Sequence, residues 1–447
     1  MSKQATARRH TRQAALSRPA SFVVVALVFV SLFAAAAAPA PLLVVYQAEW
    51  GFAPWLLTFA FAIYAIALLI ALLVAGALSD HIGRKPVIIG AVVIQIIAMT
   101  LLLVASNIGV VVAARIVQGI ATGVATGALS AALTDLAPSH SKKLGGMVAS
   151  LAPVGGLALG ALVTGALIST THHADTVVFA TLGVLYVVSL VLLPLTHESV
   201  SRRPGALRSL IPHAAVPPAA RREFAAGVPG LIALWALAGF YLALSPAVLR
   251  DVFHTENGLI DGTVIAIAFG MGALTITLLR RLDPRRAVVR GAVAMALGMA
   301  ISVLALSLGS LSLFIVGDIL SGIGIGASFV GAVVLITAHA RAHERAELFA
   351  TVYIVSYLSL GAPAILAGFL LKPLGPTPVA TGYAIGVAAL AGVGLGTHIL
   401  RGRTPPRPTT RPRHRLSGAP GPERAGTTAE LAASPNQPAV RTGETPS

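Results

Sequence analysis

Two ionisable residues, Arg115 and Asp318, fall deep inside long apolar segments of this sequence. A charge at the centre of a membrane helix costs roughly 2.5–3.5 kcal/mol by insertion scales, so it needs a partner, water or a function. We expect Asp318 to take up a proton or to hold a cationic substrate, unless it pairs with Arg115. The simpler alternatives are an Arg115 that only braces its neighbours and an Asp318 that lies near the outer water boundary.

Another group of charges separates two apolar runs, in the stretch GALSDHIGRKP from Gly76 to Pro86. A short turn between helices needs glycines for positive φ and for close approach of the backbone. A carboxylate in such a turn caps helix amides and pairs with a cation. Asp80 and Arg84 therefore predict a latch whose ion pairs form and break, or otherwise a turn of solvated charges that only sets the topology.

Small and aromatic residues mark positions for packing and for binding. Gly119, Gly123 and Gly127 follow Arg115 at steps of four, on one helix face suited to close packing. Pro363 predicts a kink in a later helix. The polar and aromatic residues that either line a cavity or simply pack are Tyr64, Gln95, Gln118, Trp235, Tyr241, Phe329, Tyr353 and Tyr357.

The elements that position these residues are predicted to be membrane helices. Of the 447 residues, 56% are hydrophobic and 11% are charged, whereas soluble proteins carry about 25% charged residues. A spanning helix needs about 20 apolar residues, and in hydrocarbon its amides are satisfied within the segment. The sequence predicts an all-α membrane protein with spans near 21–45, 52–78, 86–105, 108–133, 144–169, 176–195, 226–249, 259–280, 287–308, 311–336, 347–371 and 378–400.

The basic residues predict the orientation of the chain. Of 32 Lys and Arg residues, only Arg250 and Lys372 fall in loops on one side, and Arg115 falls inside a helix. Because Lys and Arg concentrate in cytoplasmic loops, both termini are predicted to be cytoplasmic. The net charge of +16 is therefore a topology signal, and we expect no nucleic-acid partner.

A long polar loop divides the predicted helices into two groups of six. We predict a cytoplasmic N-terminus at 1–20, six-helix bundles at 21–195 and 226–400, a linker at 196–225, and a cytoplasmic tail at 401–447. The tail is rich in proline and arginine and has too few apolar residues to bury, so we expect it to be disordered.

The two halves carry traces of a duplication. RIVQGIATG from Arg115 corresponds to DILSGIGIG from Asp318, 203 positions later, and the same spacing relates Asp80 to Asp283. Corresponding motifs in chain order indicate a repeated six-helix unit, and transporters built this way bind their substrates between the repeats, near the middle of the bilayer.

The charged stretch resembles the signature of the major facilitator superfamily, Gly-x-Leu-(Ser/Ala)-Asp-(Arg)-x-Gly-Arg-(Arg/Lys). The matching residues are Gly76, Leu78, Ser79, Asp80, Gly83, Arg84 and Lys85, and His81 departs from the pattern. The resemblance covers about residues 20–400, and the hairpin from Pro41 resembles drug-efflux-like members. It implies that Asp80 braces the halves in the outward-facing state and that Arg84 pairs with Asp135 at the inner end of helix 4.

Two further motifs resemble the family less closely. Arg115, Gln118 and Gly119 match an Arg-x-x-Gln-Gly pattern, which implies a link between Arg115 and proton coupling. The segment from Gly160 to Gly165 is a weakened form of the antiporter signature Gly-Pro-x-x-Gly-Gly. It indicates either a helix that packs tightly or an exporter-specific bend.

The expected function is secondary transport by alternating access. The first choice is proton-coupled export of a hydrophobic or cationic compound. The alternatives are uptake or export of a small metabolite (a sugar, amino acid or organic acid) and, more remotely, a membrane receptor or scaffold. The sequence lacks a helical His/Glu metal motif, a nucleophile elbow and a phosphate loop, so an enzyme is not expected.

The remaining expectations concern partners and location. We expect a monomer in the lipid bilayer with a small-molecule substrate, no obligate protein partner, no metal and no cofactor, and a proton gradient as its energy source. The composition is rich in alanine, arginine and glycine, as in high-GC bacteria, and predicts the cytoplasmic membrane.

Overall fold

Helices account for the regular secondary structure throughout the described part of the chain. A computed structural model of the protein describes residues 16–138, 141–279, 281–337, 341 and 344–402, so most of the predicted N-terminal segment and tail lie outside it. Twelve helices in these residues are long and apolar enough to cross a membrane, which confirms the predicted architecture. They are α1 (Arg18–Trp50), α2 (Pro54–Ala75), α3 (Arg84–Leu103), α4 (Ile108–Leu136), α5 (Lys142–Thr170), α6 (Ala174–Leu195), α7 (Arg221–Asp251), α8 (Gly258–Leu279), α9 (Pro284–Leu308), α10 (Leu311–Ala332), α11 (Glu347–Leu374) and α12 (Pro376–Thr397).

Capping residues explain where several helices begin. Asn107 Oδ1 accepts a hydrogen bond from the Val110 amide at 3.1 Å, at the start of α4. Asp283 Oδ1 accepts one from the Arg286 amide, also at 3.1 Å, just before Pro284 opens α9. Both side chains satisfy an amide that has no partner within the helix. Asp283, the second-half counterpart of Asp80, therefore serves as a helix cap.

Two helices depart from regular α geometry at positions that the apolar pattern does not reveal. The α1 helix is interrupted at Ala38, directly before Pro39. The α7 helix widens into a π turn over Phe240–Leu244. A proline has no N–H, and a π turn changes the hydrogen-bond register, so both interruptions alter which backbone groups need other partners.

The helices pack mainly within each half of the chain. In the first half α4 packs on α2 and α3, α1 on α5, and α3 on α6. In the second half α10 packs on α8 and α9, and α12 packs on α7 and α9. The main contacts between the halves join α5 to α8 and α2 to α11. These two seams therefore determine how the halves meet.

Both seams are tightest at the same end of the molecule. Gly165 on α5 lies against Gly258 and Gly262 on α8, and Gly368 on α11 lies against Thr58 on α2. We call this the closed end; it carries the loops that precede α2, α6 and α8. The opposite end, which carries the linker and the turn between α2 and α3, is called the open end. Small residues let the helix backbones approach closely at the closed end.

The glycine face of α4 packs directly on the backbone of α2. A Cβ added at Gly119 would lie 2.9 Å from the Ala67 Cβ, and one added at Gly123 would lie 2.8 Å from the Ala71 Cβ. Either distance is too short for a carbon–carbon contact. The step of four between the glycines thus allows a close crossing that larger residues would prevent.

We expect Gly123→Val to lower the thermal stability, because overpacking a tight contact typically costs about 1–3 kcal/mol. The matched control is Gly90→Val on α3, where an added Cβ meets no atom within 4 Å. Melting followed by intrinsic tryptophan fluorescence in detergent measures the difference. Equal melting temperatures for the two variants would contradict the packing role of Gly123.

Candidate functional site

A cavity of about 350 Å³ lies between the two halves. Its wall extends from the middle of α1 and α2 to Ser130 on α4, Ser150 on α5 and Ile276 on α8, which lie towards the open end. Aromatic residues from both halves dominate the wall. They are Phe29, Phe33, Phe61, Tyr64, Trp235, Phe269, Phe329, Tyr353 and Tyr357. Largely apolar concave sites with a few polar groups are typical of small-molecule binding.

Several residues proposed from the sequence are on this wall and others are not. The structure places Tyr64, Phe329, Tyr353 and Tyr357 on it, together with Trp235. Gln95 and Tyr241 are not on the wall, and both side chains are fully buried inside their own halves, as expected of the packing alternative. Gln95 is on α3, which packs between α4 and α6, so its amide faces the interior of the bundle rather than the cavity.

Four aromatic residues on the wall could not have been selected from the sequence. These are Phe29, Phe33, Phe61 and Phe269. A phenylalanine in a continuous apolar run has the same local pattern whether it packs in a core or lines a cavity. Only the position of its helix relative to the other half distinguishes the two.

Arg115 is buried, with 1% of its surface exposed, and is held by uncharged groups. Its Nη1 donates to Ala36 O on α1 at 3.0 Å and to Gln118 Oε1, and its Nε donates to Ala60 O on α2 at 3.3 Å. Its Cζ is 4.2 Å from the centroid of the Tyr64 ring. Among the described residues no carboxylate oxygen is within 4.0 Å of Arg115, so the alternative pairing with Asp318 is not seen.

Gln118 completes this arrangement by compensating for the break in α1. In a regular helix the amide of residue 39 would donate to Ala35 O, but Pro39 has no N–H. Gln118 Nε2 donates to that carbonyl at 2.8 Å. Arg115 and Gln118 therefore fasten α4 to α1 and α2 through backbone carbonyls, one of which the proline leaves free.

Asp318 is fully buried among the helices of the second half. Neither of its carboxylate oxygens has a hydrogen-bond partner in the structure. Its phenolic neighbour is Tyr241, whose hydroxyl also faces Ser302 and Ser321. An ionised carboxylate without a partner is costly to bury.

The charged turn between α2 and α3 forms an ion-pair cluster at the open end. Arg84 Nη1 contacts Asp80 and donates to Ser79 Oγ at 2.7 Å, while Arg84 Nε is 3.6 Å from Asp135 Oδ2 on α4. Lys85 Nζ donates to Pro194 O at 3.1 Å. These contacts bring Asp135 to the same turn as Asp80 and Arg84.

The two glycines of this turn have different tasks. Gly83 has a φ of 104°, which side-chain-bearing residues rarely adopt. Gly76, in contrast, has a helical φ of −57° and lies close to Gly127 on α4. Positive φ is therefore needed at Gly83 alone, and Gly76 permits the close approach of two helices.

The linker supplies a residue that sequence reasoning missed. The Glu198 carboxylate accepts the amides of Arg84 and Lys85, each at 3.0 Å, and so caps the start of α3. The neighbouring Ser199 Oγ donates to Asp135 Oδ2 at 2.8 Å. No local pattern reveals this cap, because Glu198 comes from the far end of the first half.

The other predicted packing positions lie on α5 and α11. Gly160 packs against Ala34 on α1, and Gly165 forms part of the closed-end seam. Pro363 lies within α11, and Pro153, which the sequence analysis did not single out, lies within α5 and on the cavity wall. Each proline removes one helical N–H.

Hydrogen bonds between the halves reinforce the closed end. Arg250 Nη1 on α7 donates to Val44 O on α1 at 3.1 Å. Ser169 Oγ on α5 donates to Asn257 Oδ1, just before α8, at 2.8 Å. The Leu259 amide donates to the same Ser169 oxygen at 2.8 Å. This end is therefore sealed by small residues and a few polar contacts that separation of the halves would break.

We expect the double variant Ser169→Cys and Asn257→Cys to form a disulfide, because the two side chains touch across the closed end. The native chain has no cysteine, so the introduced pair is the only possible disulfide. Cross-linking before and after reduction, read by gel mobility, measures it. Each single variant is the control, and failure of the oxidised double variant to cross-link would contradict the closed-end geometry.

We also expect Glu198→Ala to lower the melting temperature, since loss of a helix cap costs about 0.5–2 kcal/mol. The control is Glu49→Ala, an exposed carboxylate close to the end of α1. If the two variants melt alike, Glu198 does not stabilise the turn.

Comparison with known proteins places this architecture in a family. The sequence model of the Major Facilitator Superfamily matches residues 24–304. No curated protein sequence matches the chain. Solved structures with the same fold include the human organic anion transporter MFSD10 (TETRAN), with a TM-score of 0.61 and 14% identity over 85% of this chain and 100% of that one.

Two further structures are similar. A peptide transporter, POT, in complex with alafosfalin has a TM-score of 0.68 and 12% identity, covering 86% of this chain and 95% of its own. The nucleoside transporter NupG has a TM-score of 0.64 and 11% identity, covering 84% and 99%. At these identities the likeness shows the fold alone. Because the family's sequence model matches more than half of the chain, this protein belongs to the Major Facilitator Superfamily.

Proposed function

We propose that this protein exports a hydrophobic or cationic compound in exchange for protons, by alternating access in the cytoplasmic membrane. The observation that carries the proposal is the cavity between the halves, together with two seams that close on one side of it only. A site that reaches one side of the membrane at a time is what alternating access requires.

The charge distribution supports a direction for this state. The open end carries Arg202, Arg203 and Arg208 in the linker, and Arg84 and Lys85 where the turn between α2 and α3 enters α3. With those loops in the cytoplasm, the structure corresponds to an inward-open transporter. Asp80 pairs with Arg84 in this state, and in the proposed outward-facing state it would brace the two halves.

Asp318 is the proposed proton site. It is buried, it lacks a hydrogen-bond partner, and it lies on α10, whose neighbours α8 and α9 belong to the same half. Losing the proton would leave a charge in a low-dielectric interior, so the half must rearrange or the proton must return. That requirement would link the protonation of Asp318 to a conformational change.

The chemistry of the cavity wall supports a hydrophobic compound. Apart from the tyrosine and tryptophan tips, its polar groups are the hydroxyls of Thr126, Ser130 and Ser150. Two of these already donate to backbone carbonyls of their own helices. A sugar or an amino acid would leave many of its polar groups without partners here.

The second candidate is uptake or export of a small metabolite. The observation in its favour is that the similar structures are described as transporters of organic anions, peptides and nucleosides. A receptor or scaffold role is the remote alternative, and the sealed end beside an open cavity favours a transporter over it.

We expect Asp318→Asn to reduce proton-coupled transport at least tenfold. The test uses proteoliposomes with an imposed proton gradient and a panel of neutral and cationic dyes, recording dye movement and internal pH together. The melting temperature should change little, because the amide carries no charge and has almost the same size as the protonated carboxyl group that it replaces. The control is Asp251→Asn, at the exposed end of α7.

The possible results have distinct meanings. Coupled movement that survives in Asp318→Asn would remove Asp318 from the mechanism. If no dye moves with the unmodified protein, the exporter proposal fails, and a panel of sugars, amino acids and organic acids tests the second candidate.

A further inference from the structure

We infer that the cavity selects aromatic compounds that carry no positive charge, and that Arg115 imposes this preference from behind the Tyr64 ring. The inference rests on the proposed function and narrows its substrate class. It favours the hydrophobic compound over the cationic one.

The first observation is the absence of acidic groups from the cavity wall. Among the described residues that line the cavity there is no aspartate or glutamate. A cation that enters gives up its hydration, and only a carboxylate or well-placed dipoles would replace it at comparable strength. The aliphatic hydroxyls on the wall belong to Thr126, Ser130 and Ser150, and those of Thr126 and Ser150 already donate to helix carbonyls.

The second observation is that one aromatic face is already occupied by a cation. The Arg115 Cζ lies 4.2 Å from the centroid of the Tyr64 ring, and Tyr64 forms part of the cavity wall. An aromatic ring attracts a cation through its electron-rich face. A second cation on the far side of this ring would lie about 9 Å from the guanidinium, where like charges still repel strongly in a protein interior.

The third observation is that no described residue of the first half neutralises Arg115. Its partners are the carbonyls of Ala36 and Ala60 and the amide of Gln118, all uncharged. An arginine keeps its charge throughout the physiological pH range. Asp318 occupies the position in the second half that corresponds to Arg115. It is buried there and makes no ion pair with Arg115.

The second half offers a surface for an uncharged ring. Trp235 and Tyr357 lie with their ring centroids 5.2 Å apart, and Tyr353 continues the row at 6.3 Å from Tyr357. All three are on the cavity wall. The ring planes are tilted by 47° and 31°, so the row offers both faces and edges of aromatic rings to a flat apolar substrate. A cation could also be attracted to these rings, but it would meet the field of Arg115 without a carboxylate to offset it.

The test compares compounds that differ in charge and little in shape. Naphthalene bearing a trimethylammonium group, the isosteric tert-butyl group or a carboxylate is titrated into the full-length protein in nanodiscs, and tryptophan quenching reports binding. Empty nanodiscs correct for partition into lipid. We expect the tert-butyl compound to bind at least tenfold more tightly than the trimethylammonium compound.

The role of Arg115 is tested by the ratio of the two affinities, tert-butyl over trimethylammonium, in variants compared with the unmodified protein. The ratio in the unmodified protein is not enough, because an apolar cavity prefers the tert-butyl compound in any case. In Arg115→Met the ratio should fall about tenfold, the size expected for removing a like charge at this separation. Arg208→Met, which removes an exposed arginine of the linker, should leave it unchanged.

Because Arg115→Met removes three hydrogen bonds and its folding is at risk, Thr126→Asp provides a second test. It should raise the affinity for the trimethylammonium compound about tenfold.

Each outcome decides the matter. Equal or tighter binding of the trimethylammonium compound to the unmodified protein would overturn the inference and leave the proposed exporter standing. An unchanged ratio in a folded Arg115→Met variant, or no gain in Thr126→Asp, would also overturn it. If none of the three compounds binds, both the inference and the proposed hydrophobic substrate fail.

Discussion

The first half of this protein is organised around one buried cation, Arg115, that pairs with no carboxylate in the part of the chain that the structure describes. Arg115 is held by carbonyls of α1 and α2, and Gln118 takes the carbonyl that Pro39 leaves without a donor. In hydrocarbon an unpaired backbone group is as costly as an unpaired side chain, so the break in α1 and the polar pair on α4 require each other. The glycine face of α4 follows from the same constraint, because the arginine reaches those carbonyls only when α4 lies close to α2.

The sequence was sufficient for the fold because bilayer thickness and backbone hydrogen bonding leave few alternatives. All twelve spans were predictable, and differences at the ends have local causes. The α7 helix, for example, begins at Arg221 rather than near residue 226, since its polar first turn continues beyond the apolar run. The break at Ala38 has a local signal in Pro39 that the apolar pattern hides, whereas the π turn at Phe240–Leu244 has no comparable signal in the sequence.

The site was less accessible to sequence reasoning. Buried charges stand out in an apolar chain, so Arg115 and Asp318 could be selected, but their partners could not. A polar residue such as Gln95 looks the same whether it faces a cavity or a neighbouring helix, and so does a phenylalanine such as Phe269. Glu198 was missed because the helix that it caps begins more than a hundred residues earlier in the chain.

The seams at the closed end also bear on how the molecule moves. Where glycine meets glycine, as at Gly165 and Gly262, backbone packs on backbone, and the Ile168 side chain next to them meets only the backbone of Gly258. Two such surfaces separate without any rotamer having to change, so the barrier to parting is set by the loss of dispersion contacts and of a few hydrogen bonds. The halves are thus joined by a smooth contact that is easily reversed. A single bulky side chain in the seam would hold the two helices apart and prevent this contact from forming.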